Sequence, residues 1–128
     1  MTQKHEIYRC EICGNIVEVL HTGQGVLVCC GQDMIKEEAN TEDSVYESHL
    51  PVIETNEEGV HSVKIGSNPH PMEDNHYIEW IEIQIGDKIG KKFLNPSDDP
   101  VAKFFLKGDV KKARAYCNVH GLWEKINE

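Results

Sequence analysis

The chain has 128 residues, 39% hydrophobic and 27% charged, with a formal net charge of −9. That length suits one ordinary domain, or a small domain plus a smaller module. The acidic balance excludes a nucleic-acid binder, which needs Lys and Arg against phosphate, and argues against an anionic membrane surface. No apolar run approaches the roughly 18–20 residues of a membrane span. The opening MTQKHEIYRC is polar and lacks the apolar stretch of a signal peptide, so the expected location is cytoplasmic. Five cysteines, an odd number, with no secretory signal favour metal binding or catalysis over a disulfide framework.

In chain order, residues 1–37 carry four of the five cysteines on short strand-like runs, Ile7–Arg9, Asn15–Leu20 and Gly25–Val28. Large apolar residues are too few there for a core, and pieces this small usually need a metal or a disulfide to fold. Metal binding then supplies folding free energy directly. Residues 38–44 (EANTEDS) are polar and aperiodic and read as a linker. From residue 45 to 128 short runs alternate with turn clusters: Leu50–Glu54, Val60–Ile65, Tyr77–Ile85, Lys91–Leu94, Ala102–Leu106 and Ala113–Cys117. That spacing predicts a small β-sandwich. Lys107–Tyr116 is ambiguous, because Lys111–Ala115 would also suit a helix.

The first motif is Cys10-x2-Cys13-x15-Cys29-Cys30. Four thiolates from two short segments suit tetrahedral iron or zinc. In an extended chain adjacent side chains point to opposite faces. Cys29 and Cys30 therefore reach one metal only if the backbone bends, which predicts a distorted tetrahedron. A plain zinc knuckle without redox chemistry fits the residue types equally well.

The second set is scattered. Cys117-Asn118-Val119-His120 is a half-site after a strand. His70 and His76 flank the turn NPHPMEDNH, and His49 precedes Pro51. Singly, each histidine reads as readily as a surface or core residue, and Cys117 as a buried small hydrophobe. His5, His21 and His61 have no companions and read as structural.

The stretches YRCEICGNIVEVL, LVCCGQDM, ESHLPVIE, NPHPMEDNHYIEWIE and YCNVHGLW resemble, in order and near-family spacing, the desulfoferrodoxin (two-iron superoxide reductase) family. The resemblance implies a mainly β protein, with a desulforedoxin-like module (1–37) followed by an immunoglobulin-like β-sandwich. It implies two irons per chain: one on Cys10, Cys13, Cys29 and Cys30, the other in a square plane of His49, His70, His76 and His120 with Cys117 axial. The opposite axial position would be open in the ferrous state and closed by Glu47 in the ferric state. It also implies a homodimer, superoxide as substrate, hydrogen peroxide as product and a rubredoxin-type electron donor. Calcium at the dimer interface is a further candidate ion.

One departure stands out. The family's Glu-Lys-His-x-Pro motif here has Ser48 where lysine is usual. A hydroxyl replaces a positive charge thought to attract superoxide, so slower capture with the same reaction is expected. The N–H groups of Asn118 and His120 are candidates to hydrogen-bond the Cys117 thiolate and tune its donation. Rival readings are a rubredoxin-like electron carrier, a structural zinc protein and a superoxide dismutase. A carrier has no use for an open position, and a dismutase needs no external donor.

Overall fold

The structure, a computed structural model, describes residues 1–42 and 48–127. Glu47 and residues 43–46, which include the end of the expected linker, lie outside the described residues. The chain divides into two compact units, Met1–Glu38 and Ala39–Glu128. Every pairing within their sheets is antiparallel. Among the described residues no helix is long and apolar enough to cross a membrane.

The first unit holds five short strands: β1 (Ile7–Arg9), β2 (Ile16–Glu18), β3 (Val28–Cys29), β4 (Gln32–Asp33) and β5 (Ile35–Lys36). They form a sheet ordered β2-β1-β5 and a hairpin β3-β4. Buried apolar side chains are few: Ile7, Cys10 and Val19, while Ile12, Leu20, Val26 and Val28 are exposed. Ion pairs Arg9–Glu37 (2.7 Å) and Lys36–Glu6 (2.9 Å) tie the C-terminal end of the unit to β1 and the residue before it.

The second unit has seven strands: β6 (Pro51–Thr55), β7 (His61–Ile65), β8 (Ile78–Ile85), β9 (Lys88–Phe93), β10 (Val101–Phe104), β11 (Lys112–Cys117) and β12 (Gly121–Ile126). Two sheets, β10-β7-β6 and β12-β11-β8-β9, make the sandwich. Its core is Val63 and Ile65 from β7 against Ile81, Ile83, Ala113 and Ala115 from β8 and β11. The register sets Ile81 opposite Ala115 and Ile83 opposite Ala113, so each bulky inward residue meets a small neighbour. On the other face of β8 and β11, Trp80 stacks on Tyr116 (4.7 Å between ring centroids) and Glu82 pairs with Arg114 (3.0 Å).

The ambiguous stretch resolves as strand. Lys112, Arg114 and Tyr116 alternate with Ala113, Ala115 and Cys117 across the sheet, a period of two that a helix would scatter. The expected run Gly25–Val28 is displaced to Val28–Cys29, and β12 was absent from the sequence reading.

Candidate metal centres

In the first unit the four cysteines converge, their sulfurs within 4.8 Å of one another. Cys10 follows β1, and the chain turns back at once: Gly14 N–H donates to Cys10 O (3.0 Å) and Cys10 N–H to Asn15 O (2.9 Å). The adjacent pair is solved by a two-residue hairpin. Cys29 pairs with Gln32, and Cys30 and Gly31 between them have φ of +53° and +79°. Two positive φ values in a row are the tight turn whose twist matches flanking strands, and glycine takes the second at no steric cost. This is the expected bend: it swings Cys30 back so that its sulfur lies 4.0 Å from that of Cys29.

Sulfur–sulfur distances are 3.6 Å for Cys13–Cys29 and 4.0 Å for Cys29–Cys30. A tetrahedron of sulfurs about 2.3 Å from a metal has edges of about 3.8 Å, so the residues fit such an ion. Electrostatics agree. The Cys13 N–H, 3.5 Å from Cys10 Sγ, draws the Cys10 thiol down to about 6. Cys30, crowded first by the Cys13 sulfur and then by Cys29, is pushed up to about 12. Four sulfurs this close cannot all ionise without a cation among them.

The second centre lies at one end of the sandwich. His49 precedes β6 and His70 follows β7, and Gly66 brings them together. Its N–H donates to Leu50 O (3.1 Å), and His70 N–H closes on Ile65 O (3.2 Å). Gly66 has φ +83°, and a Cβ there would run into Asn68 O and lie 2.7 Å from Ser48 O. Only glycine lets this turn pack on the backbone beside His49. Cys117 ends β11, where the pairing with β8 slips between Tyr116 and Cys117. Such bulges re-aim side chains near active sites.

The four imidazoles close a circuit. Centroid separations are 4.6 Å for His49–His70, 5.0 Å for His70–His76, 5.1 Å for His76–His120 and 4.9 Å for His120–His49. Four nearly equal sides close a ring of imidazoles, as the square expected from the resemblance requires. Donor atoms of His49, His70, His76 and Cys117 lie within 4.8 Å of one another. His120 joins through Nδ1, 3.2 Å from His49 Nε2 and 3.8 Å from Cys117 Sγ. Adjacent nitrogens about 2.1 Å from a metal in a square plane are about 3.0 Å apart. His70 Nδ1–H donates to Pro71 O (2.8 Å), which leaves its Nε2 lone pair for a metal. Soft sulfur with imidazole nitrogens suits a transition ion.

The two amides proposed for the Cys117 sulfur part company. His120 N–H donates to Cys117 Sγ (3.4 Å). Asn118 N–H instead donates to Tyr77 O (3.2 Å), a correction with a clear cause. Asn118 is a clamp: its Oδ1 accepts from Tyr77 N–H (2.9 Å) and its Nδ2 donates to Asn75 O (3.2 Å). The residue ties the segment carrying His76 to the hairpin carrying Cys117 and His120, a role invisible in the spacing. Ser48 is half-buried beside Gly66. His61, read as structural, is buried and its Nδ1 lies 2.8 Å from Thr55 Oγ1. Trp123, overlooked in the sequence, lies flat on His49.

Two family models match the chain: "Desulfoferrodoxin, N-terminal domain" over residues 2–36 and "Desulfoferrodoxin" over residues 41–126. A desulfoferrodoxin homolog of Archaeoglobus fulgidus is 52% identical, with 97% of this chain and 98% of that one covered. A superoxide reductase of Pyrococcus horikoshii is 38% identical over 71% of this chain and 95% of its own length. Among solved structures, the superoxide reductase of Treponema pallidum matches with a TM-score of 0.79 at 26% identity, covering 94% of this chain and 96% of that one. With both of its units matched and half its residues shared with a full-length relative, the chain belongs to the desulfoferrodoxin family.

Proposed function

We propose that the chain is a superoxide reductase, converting superoxide to hydrogen peroxide at the square of His49, His70, His76 and His120 with Cys117 beneath it. The closed circuit of four imidazoles, with the Cys117 sulfur close to their nitrogens, carries the reading. Relatives that bear the name superoxide reductase support it. Iron held there by these five residues would supply one electron to superoxide.

The protein's own groups do the rest. Four neutral imidazoles and one thiolate cancel only one of a divalent cation's two charges, which leaves a local attractor for an anion on a chain of net charge −9. The His120 N–H on Cys117 Sγ moderates how much electron density the sulfur gives. Buried His49 and His70 fix one side of the square, while the exposed His120 lies on the solvent side. Ser48 offers a hydroxyl next to His49, and water delivers the two protons that peroxide requires. Glu47 is proposed as the ligand that closes the sixth position after oxidation. The four cysteines of the first unit are proposed to hold the other iron.

A rubredoxin-type carrier as donor, a homodimer with calcium at its interface, and a cytoplasmic location complete the proposal on the strength of the family resemblance. Anaerobic ferrous protein mixed with a pulse of superoxide tests the activity. One peroxide for each superoxide, with turnover only when a donor is present, is expected. One peroxide for every two superoxides without donor means a dismutase instead. Ser48→Lys should raise the capture rate and steepen its fall with salt. Cys13→Ser with unchanged reduction would remove the first centre as an obligatory relay.

A further inference from the structure

The ring of Trp123 lies parallel to that of His49, with centroids 4.3 Å apart and planes 8° from parallel. Both residues are buried, His49 to 1% and Trp123 to 6% exposure. The indole is held from its backbone on two sides. Trp123 pairs with Ala115 of β11, whose methyl leaves room for a large neighbour. On the other side residue 40 bridges it in parallel: Asn40 N–H donates to Leu122 O (2.8 Å) and Glu124 N–H to Asn40 O (2.9 Å). Asn40 Nδ2 adds a second bond to Leu122 O (3.1 Å).

The Trp123 Nε1–H is buried and has no hydrogen-bond partner among the described residues. A buried indole usually finds one. Among the described residues no polar anchor holds the Nε1–H, and the contact that the ring makes with His49 is through its face. That face covers the ring of His49, whose Nε2 is 3.2 Å from the Nδ1 of His120 across one corner of the square. An imidazole free to turn about its χ2 would carry its nitrogen out of the plane. His70 is oriented by its bond to Pro71 O, and His49 by this stack.

We infer that Trp123 is a positioning residue, which fixes the ring plane of His49 and so the square geometry of the second centre. The inference rests on reading His49 as a ligand. Partners that orient a metal-bound histidine typically account for about 10–100-fold in metal affinity.

The test takes the full chain, with zinc in the first centre and ferrous iron titrated anaerobically into the second under chelator competition. Trp123→Leu should bind iron about 10–100-fold more weakly. Trp123→Phe, which keeps a ring face on His49, should retain most of the affinity. The visible band of the oxidised centre should shift in the leucine variant and stay in place in the phenylalanine one. Unchanged affinity in folded Trp123→Leu overturns the inference, as does an equal loss in both variants with the band unmoved. A second measurement leaves position 123 untouched. The chain has two tryptophans, so in Trp80→Phe all indole emission comes from Trp123, and iron should quench it along the binding curve. Emission indifferent to bound iron overturns the stack. Wild-type protein that takes up no iron at this centre overturns the ligand reading itself, and the inference with it.

Discussion

The two units solve the same folding problem with opposite means. Ala39–Glu128 buries a continuous core in which Val63, Ile65, Ile78, Ile81, Ile83, Ala113, Ala115 and Cys117 are all sealed from water. Met1–Glu38 buries Ile7, Cys10 and Val19, and leaves Leu20 at 74% and Val26 at 68% exposure. Apolar burial at roughly 25 cal/mol per Å² cannot offset the ordering of 38 residues on so little surface. The first unit's metal centre is therefore its core. The second unit's centre sits at the end of a sandwich that is already packed, and is free to be tuned for chemistry.

The largest effect follows from that difference. Structural metal of this kind is worth about 10–16 kcal/mol of folding free energy. Stripping metal from the protein should abolish amide-exchange protection in β1 and β2 while the amides of Ile81, Ile83 and Ala113 stay protected. A first unit that remains protected without metal would break the comparison.

The next effect contrasts two ion pairs. Glu82 and Arg114 lie in the middle of the four-stranded sheet, their side chains 4% and 7% exposed, with Lys91 Nζ 3.6 Å from the same carboxylate. Truncating one partner of a buried pair leaves a stranded charge, so Glu82→Ala should cost the second unit about 3–5 kcal/mol in denaturant unfolding. Arg9–Glu37 in the first unit has the shorter contact, 2.7 Å, but its arginine is 37% exposed. Glu37→Ala should cost about 0.2–1 kcal/mol, as exposed pairs do. Equal costs would mean that burial is not what separates the units. Between these two lies Ile83→Val, which removes one methylene from the packed sheet interface and should cost about 0.5–1.5 kcal/mol.

What the sequence revealed tracks how local each signal is. The Cys29-Cys30 bend was legible because adjacent side chains in a strand must diverge, and a hairpin with φ of +53° at Cys30 answers it. The Tyr77–Ile85 run announced β8, whereas Lys111–Ala115 suited a helix equally well and only the pairing of β11 with β8 and β12 decides it. β12 was missed because Gly121 and the two charges Glu124 and Lys125 hide its short alternation. The histidine square was not legible from spacing: His49 and His120 are 71 residues apart, and only resemblance joined them. Asn118 and Trp123 were missed for the same reason. Their roles depend on which segments β-pairing brings alongside, and no local pattern records that.

The smallest effect is a titration in the first unit. Glu6 accepts from Lys36 Nζ and from the Gln3 N–H (2.7 Å), and the lysine bond, first of these, holds its carboxyl below the usual carboxylate value. The sign follows from linkage. A carboxylate depressed on folding adds stability above its unfolded value near 4.5, and that stability is lost as pH falls through the lower folded value. In zinc-loaded protein, carboxyl NMR should place Glu6 below its unfolded value, and Lys36→Met should return it upward. If Lys36→Met leaves the titration where it was, the Gln3 N–H rather than the ion pair sets it. The polar perimeter of the first unit would then contribute to its fold through backbone geometry alone, and the dependence on metal would be still more complete than the burial of Ile7 and Val19 already implies.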